Sequence, residues 1–510
     1  MCVMNTSTAS SHAGFTPALA RIVATVSVGF VVTQLDVTIV NIALARIAID
    51  LGAAVSGLQW IVDAYTLAFA ALMLSAGVLG DRFGARRMFT SGIALFLLAS
   101  LGCAIATRPA VLIAARALQG VAAAAMLPNS LALLNRACGH DPKLRARAVG
   151  LWTAAGSVSI AAGPVVGGIL IAAFGWRSIF FVNVPICLAG VLASLAWAPR
   201  DEADTARVRV GTPAGTPHGG DKAATSGARQ NAGARVAPNA RSVDLPGQAL
   251  AIVALTAFTG AAIECRPRGL ADPIVWGAFA VAFIAAIAFI AVESRARSPM
   301  LPLALFGNRT FSAAVLFGIC VNLSYYGMVF VLSLFLQRVR GDTPLAAGLA
   351  FLPLTGGFLI SNLLSGHVVA HYGSRVPMVG GALMAALGYA ALMRLDAATS
   401  QAGMLIAFLL IPLGMGMAVP AMTTAILASV DKPRAGTASA VLNTARQAGG
   451  AVGVAAFGAL ASGISPAHIV EGMHAAASLS VALLLAGAAL GCIVRAHPHE
   501  HAHDAVRSRT

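Results

Sequence analysis

The stretch Ser75–Met88 reads SAGVLGDRFGARRM, and its reading decides the fold. It is a short charged turn carrying Gly77, Asp81, Arg82, Gly84, Arg86 and Arg87. Uncharged runs flank it at 64–80 and 88–107. Each is close to the about 20 residues a helix needs to cross a hydrocarbon core of about 30 Å. A tight turn with an acid and three arginines between two such runs marks the polar edge of a bilayer.

The composition agrees. Of 510 residues, 58% are hydrophobic and 10% charged, and the mean hydropathy is +0.82. A soluble domain carries about 25% charge, so this chain cannot cover itself with a polar surface. Alternating strand-length segments are absent, which argues against a β-barrel. The net charge of +15 does not point to nucleic acid, because the basic residues are scattered through short loops. The seven cysteines lie far apart without a CxxC pair, so neither a disulfide framework nor a metal site is implied.

Fourteen apolar segments follow one another, from 20–44 to 473–494. Most of the arginine and lysine in the intervening loops falls on the side of the 81–87 turn, which makes that side and both termini cytoplasmic. The N-terminus lacks a basic n-region, so the first segment reads as a retained span. Residues 199–241 are rich in Ala, Gly, Thr, Pro and Arg, without apolar periodicity, and read as a disordered linker. His497, His499, His501 and His503 read as a solvated tail rather than a metal site.

The 81–87 turn has a partner. Counting from Gly77, a second glycine follows at Gly84 and an arginine at Arg86. Counting from Gly366 in GHVVAHYGSR, Gly373 and Arg375 fall in the same register, with Ala370 in place of the acid. The two turns lie eight segments apart on the same side. Two parallel six-helix halves with two helices inserted between them would give this spacing. The fold class is therefore all-α integral membrane, with 14 transmembrane helices in two pseudo-symmetric six-helix bundles plus two inserted helices. The divisions are a terminus at 1–19, a bundle at 20–198, a linker at 199–246, inserted helices at 247–292, a second bundle at 311–494 and a tail at 495–510.

Ionisable residues inside spans are costly and mark function by default. Asp36, Asp63 and Arg116 lie roughly 12, 14 and 9 Å below the outer surface at 1.5 Å per residue. An arginine within reach of two carboxylates can hold one ionised while burial favours the protonated form of the other. Such a group suits a site that takes up and releases a proton; the bland alternative is a structural ion pair. Arg446 lies alone, with no acid in the apolar segments of the C-terminal half. Its partner would be a backbone carbonyl or an anionic substrate. Gly156, Gly163, Pro164, Gly167 and Gly168 crowd one segment, where glycine permits close helix approach and Pro164 bends the helix. The methionines of 376–394 and 402–429 read as soft filler facing lipid.

GVLGDRFGARR, RALQG and GSVSIAAGPVVGG resemble motifs A, B and C of the major facilitator superfamily. LDVTIVN, QWIVDAYTLAFA, GWRSIFFVNVPI and ASAVLNTARQAGGAVG resemble its fourteen-span drug:proton antiporters of the EmrB/QacA type. The resemblance implies a proton-coupled efflux transporter for amphipathic drugs or antiseptics, working by alternating access, and not an enzyme. It implies that Asp36, Asp63 and Arg116 couple protons, that the 77–87 turn is a conformational switch, and that Gly163 and Pro164 form the antiporter kink. Gln34, Tyr65, Gln119, Asn443 and Arg446 are candidates for the substrate cavity. No cofactor is expected, since the proton gradient supplies the energy. The expected partners are protons, a small amphipathic substrate and the lipid of a bacterial cytoplasmic membrane. The chain would act as a monomer or with a periplasmic adaptor and an outer-membrane channel. Export of one metabolite or self-made antibiotic is the second reading, and a membrane sensor or enzyme the third. Two departures stand out. Ala45 replaces the proline expected near the end of the first span, and the C-terminal half lacks acids that would suit divalent cations.

Overall fold

The computed structural model describes residues 15–139, 141–199, 244–269, 271–296, 299–431, 434–463 and 465–494. Most of the expected 1–19 terminus, most of the 199–246 linker and the whole 495–510 tail lie outside the described residues. The rest is helical. In chain order the long helices are α1 (Pro17–Leu51), α2 (Val55–Phe83), α3 (Ala85–Ala104), α4 (Pro109–Cys138), α5 (Pro142–Phe174) and α6 (Ser178–Trp197). There follow α7 (Leu245–Arg268), α8 (Pro273–Glu293), α9 (Arg309–Leu334) and α10 (Pro344–Tyr372). The last four are α11 (Arg375–Leu392), α12 (Gln401–Ala428), α13 (Ala435–Leu460) and α14 (Pro466–Ile493).

Thirteen helices of the described residues are long and apolar enough to cross a membrane. The exception is α13. It spans 26 residues, but Asn443, Thr444, Arg446, Gln447 and five glycines dilute its apolar character.

Local sequence sets the helix ends. Thr16, Asp244, Asp272, Thr343, Ser400 and Ser465 each cap a helix by accepting a backbone N–H, and all but Ser400 stand just before a proline in the first turn. The cap oxygen satisfies an otherwise orphan donor, and proline gives up no bond at that position. At Ala45, where the resemblance led us to expect a proline, α1 runs on unbroken to Leu51 and ends at Gly52 in the left-handed region.

Each of the two turns has a glycine at positive φ. Gly84 separates α2 from α3 at φ 101°, and Gly373 separates α10 from α11 at φ 70°. Each donates its N–H to a carbonyl four residues back, Gly80 at 3.0 Å and Val369 at 2.9 Å. A side chain at either position would be strained. This end of the molecule is called the hinge end below, and the other the α1–α2 end.

Packing follows chain order with a break. Helix α1 packs on α4, α5 and α6, α4 packs on α2, α3 and α5, and α3 packs on α6. Helices α9 to α14 form a second set of mutual contacts. The α7–α8 pair lies against α2 and α13 through α7. The two sets meet where α2 packs on α13, α5 on α10 and α1 on α9. Of the methionines read as lipid-facing filler, Met378, Met404, Met415 and Met422 are instead buried in the core.

Candidate functional site

A charged site sits inside the first set of helices. Arg116 of α4 is 1% exposed and pairs with Asp36 of α1, which is 0% exposed. The pair is fully dressed. Arg116 Nη1 also donates to Gln119 Oε1 at 2.8 Å, and its Nε donates to the Ile61 carbonyl at 3.1 Å. The guanidinium stacks over the Tyr65 ring, 4.4 Å from its centroid. Asp36 Oδ1 accepts from Gln119 Nε2 at 3.2 Å and from Asn183 Nδ2 at 3.1 Å. Gln119 and Asn183 both reach Ser100 Oγ, at 2.8 and 3.4 Å, and Cys103 donates to Gln119 Oε1 at 3.3 Å. A buried ion pair survives only when its remaining donors and acceptors are met in this way.

Asp63 differs. It is 0% exposed on α2, and neither carboxylate oxygen has a hydrogen-bond partner. The expectation of one arginine serving two carboxylates is therefore corrected: Arg116 pairs with Asp36 alone. A bare buried carboxylate is costly as an anion, and the charged and amide partners that surround Asp36 are absent at Asp63.

The other candidates separate. Tyr65 and Gln119 belong to the Asp36 site, although the Tyr65 hydroxyl is buried without a partner. Gln34 is half-buried, two residues before Asp36 on α1. Asn443 turns its amide back to the Ser439 carbonyl at 3.0 Å. Arg446 is half-buried on α13 beside Gly318 of α9. Its Nε is buried without a partner, and it has no ion pair among the described residues.

The turn residues spread out. Arg86 donates to the carbonyls of Ser194 at 3.3 Å and Leu195 at 2.6 Å, tying α3 to the end of α6. Arg82 lies over Phe83, and Arg87 is exposed. Gly77 and Asp81 line a cavity of about 620 Å³ at the hinge end, shared with Asn129, Asp244, Met300 and Arg434.

The α5 glycines are contact points. A Cβ on Gly156 would enter Phe30, one on Gly163 would enter Thr38, and one on Gly167 would meet Ile39, all on α1. Gly168 faces Pro344 and Leu345 of α10, and the Pro164 carbonyl faces Gly348. One helix thus touches both helix sets.

Sequence reasoning missed Asn183, Ser100 and Cys103. Asn183 stands inside a quoted motif, and its only signal was an amide in an apolar run.

The site is thus a buried, hydrogen-bonded ion pair within a bundle of helices, thirteen of which are long and apolar enough to cross a membrane. The sequence profile of the Major Facilitator Superfamily matches residues 26–454, and the chain belongs to that family. It is 35% identical over 430 residues to the methylenomycin A resistance protein of Streptomyces coelicolor, covering 84% of this chain and 83% of that one. It is 34% identical over 432 residues to the multidrug resistance protein Stp of Mycobacterium tuberculosis, covering 85% of this chain and 74% of that one. Among solved structures, it resembles a bacterial homologue of the human lysosomal transporter Spinster in an inward-facing, unoccupied conformation. The TM-score is 0.62 at 16% identity, over 95% of this chain and 99% of that one. At that identity the likeness speaks for the fold.

Proposed function

We propose that the protein is a proton-coupled efflux transporter that exports amphipathic drugs or antiseptics by alternating access. The observation that carries this reading is the contrast between the two acids. Asp36 is held by Arg116, Gln119 and Asn183, whereas Asp63 is buried and bare. Proton uptake at Asp36 would dissolve its ion pair and free Arg116. Asp63 would take a second proton or a cationic group of the substrate, and Arg446, with no acid beside it, would meet an anionic one. Gln34 and Asn443 would line the substrate cavity.

In this reading all fourteen helices span the membrane. Residues 20–198 and 311–494 form two six-helix bundles, and 247–292 is an inserted pair. The turn at Gly77–Arg87 and the α5 contacts at Gly156, Gly163, Pro164, Gly167 and Gly168 carry the conformational change. The hinge end and both termini are cytoplasmic, in a bacterial inner membrane. The proton gradient is the energy source, and the chain works as a monomer or with an adaptor and outer-membrane channel. The single-antibiotic name of the Streptomyces coelicolor relative favours a second reading, export of one compound.

The test is a drug-susceptibility panel in an efflux-deficient host, with proton-driven uptake into inverted vesicles. Asp36→Asn is expected to abolish both protection and uptake. Full proton-dependent uptake by this variant would overturn the coupling role, and protection against a single compound would favour the second reading.

A further inference from the structure

A second pair of carboxylates lies outside the Asp36 site, at the base of the α7–α8 pair. Asp244 caps α7, its Oδ1 accepting the Gly247 N–H at 2.9 Å. Glu293 is the last residue of α8 and is 2% exposed. Its Oε2 accepts the Leu301 N–H at 3.1 Å. The other two oxygens, Asp244 Oδ2 and Glu293 Oε1, are buried and have no partner. Both flank Gly247: a Cβ built there would lie 2.7 Å from the first and 2.9 Å from the second, so the two oxygens are at most 5.6 Å apart.

Two carboxylate oxygens with no donor between them cannot both stay ionised at close range, and one shared proton turns the repulsion into a hydrogen bond. Other charges do not resolve the conflict. Asp81 of α2 and Arg434 at the start of α13 line the same cavity as Asp244, and Arg295 follows α8. Neither Asp244 nor Glu293 makes an ion pair among the described residues. We propose that Asp244 and Glu293 form a second proton-binding site, holding one proton between Oδ2 and Oε1.

The site is wired to the turn at 77–87. Gln248 follows Gly247, donates to the Ala71 carbonyl at 2.6 Å, and bonds Ser75 Oγ of α2. Ser75 also reaches Met300 Sδ at 3.6 Å. With the proton in place the base of the α7–α8 pair is closed and Gln248 clasps α2 two residues before Gly77. Without it the two carboxylates push apart beneath that clasp.

The experiment measures Tm against pH for the full chain in detergent. The folded pair keeps a proton that the unfolded chain releases, so stability is present at low pH and falls as pH rises. The wild type should lose at least about 2 °C across this transition. Glu293→Gln can donate an N–H to Asp244, and Asp244→Asn keeps a good cap acceptor; each should remove this fall while remaining folded. Gly247→Ala, which puts a methyl group within 2.7 and 2.9 Å of the two oxygens, should lower Tm mainly at low pH. Wild-type slopes in both amide variants overturn the proposal. So does a transition that follows sodium or potassium concentration instead of pH.

Discussion

Removing the Arg116 guanidinium leaves Asp36 with only the amides of Gln119 and Asn183. Breaking one side of a buried pair costs about 3–5 kcal/mol, because the remaining charge is uncompensated. Arg116→Gln should therefore lower stability strongly in detergent, and adding Asp36→Asn should restore most of the loss. A double variant no more stable than the single one would show that the two residues are not energetic partners. Asn183→Ala removes one donor and should cost about 1–3 kcal/mol, read by the same unfolding assay. Asp36 and Arg116 were legible in the sequence because a charge in an apolar run stands out. Asn183 and Ser100 were not, since neutral polar groups occur in spans for many reasons. The isolation of Asp63 was also hidden. Counting residues gives depth along a helix, but the direction a side chain faces depends on how each helix is rotated against its neighbours.

At the scale of elements, α5 sets the spacing between α1 and α10. Gly163→Val would drive a branched side chain into Thr38, which hydrogen-bonds the Gln34 and Leu35 carbonyls just before Asp36. Overpacking of this kind costs about 1–3 kcal/mol, and efflux should fall to background. Gly150→Ala, on the same helix with nothing within 4 Å of the new methyl, should keep near-wild-type efflux and Tm. Equal damage from both would reduce the α5 glycines to a matter of helix flexibility. The glycine run was readable as a contact strip, but its partners were not. Helix α13 shows the converse limit. Its polar residues weaken the apolar signal, yet it packs against α2, α7 and α9, where such residues need not face lipid.

At the scale of the whole molecule, three side chains link the two helix sets by hydrogen bonds away from the hinge end, among the described residues. Gln59 of α2 donates to the carbonyls of Val454 at 3.2 Å and Ala455 at 2.7 Å on α13. Ser333 of α9 donates to the Asn41 carbonyl of α1, and Thr355 of α10 to Ala161 of α5 at 3.2 Å. The cavity that holds Asp81 and Arg434 lies at the opposite end. Under the alternating-access mechanism proposed above, these bonds would act as a latch at the α1–α2 end and the cavity would mark the open side. Gln59→Ala deletes two bonds across the latch and fills no new space. Each is worth about 0.5–1.5 kcal/mol, so the balance should move about 5–150-fold toward a state open at the α1–α2 end. Spin labels at Ala54 and Ala467, both exposed at that end, would report the change as growth of a longer distance peak. An unchanged distance distribution, with Tm lowered by the same deletion, would mean that Gln59 holds the helices together without governing which end opens.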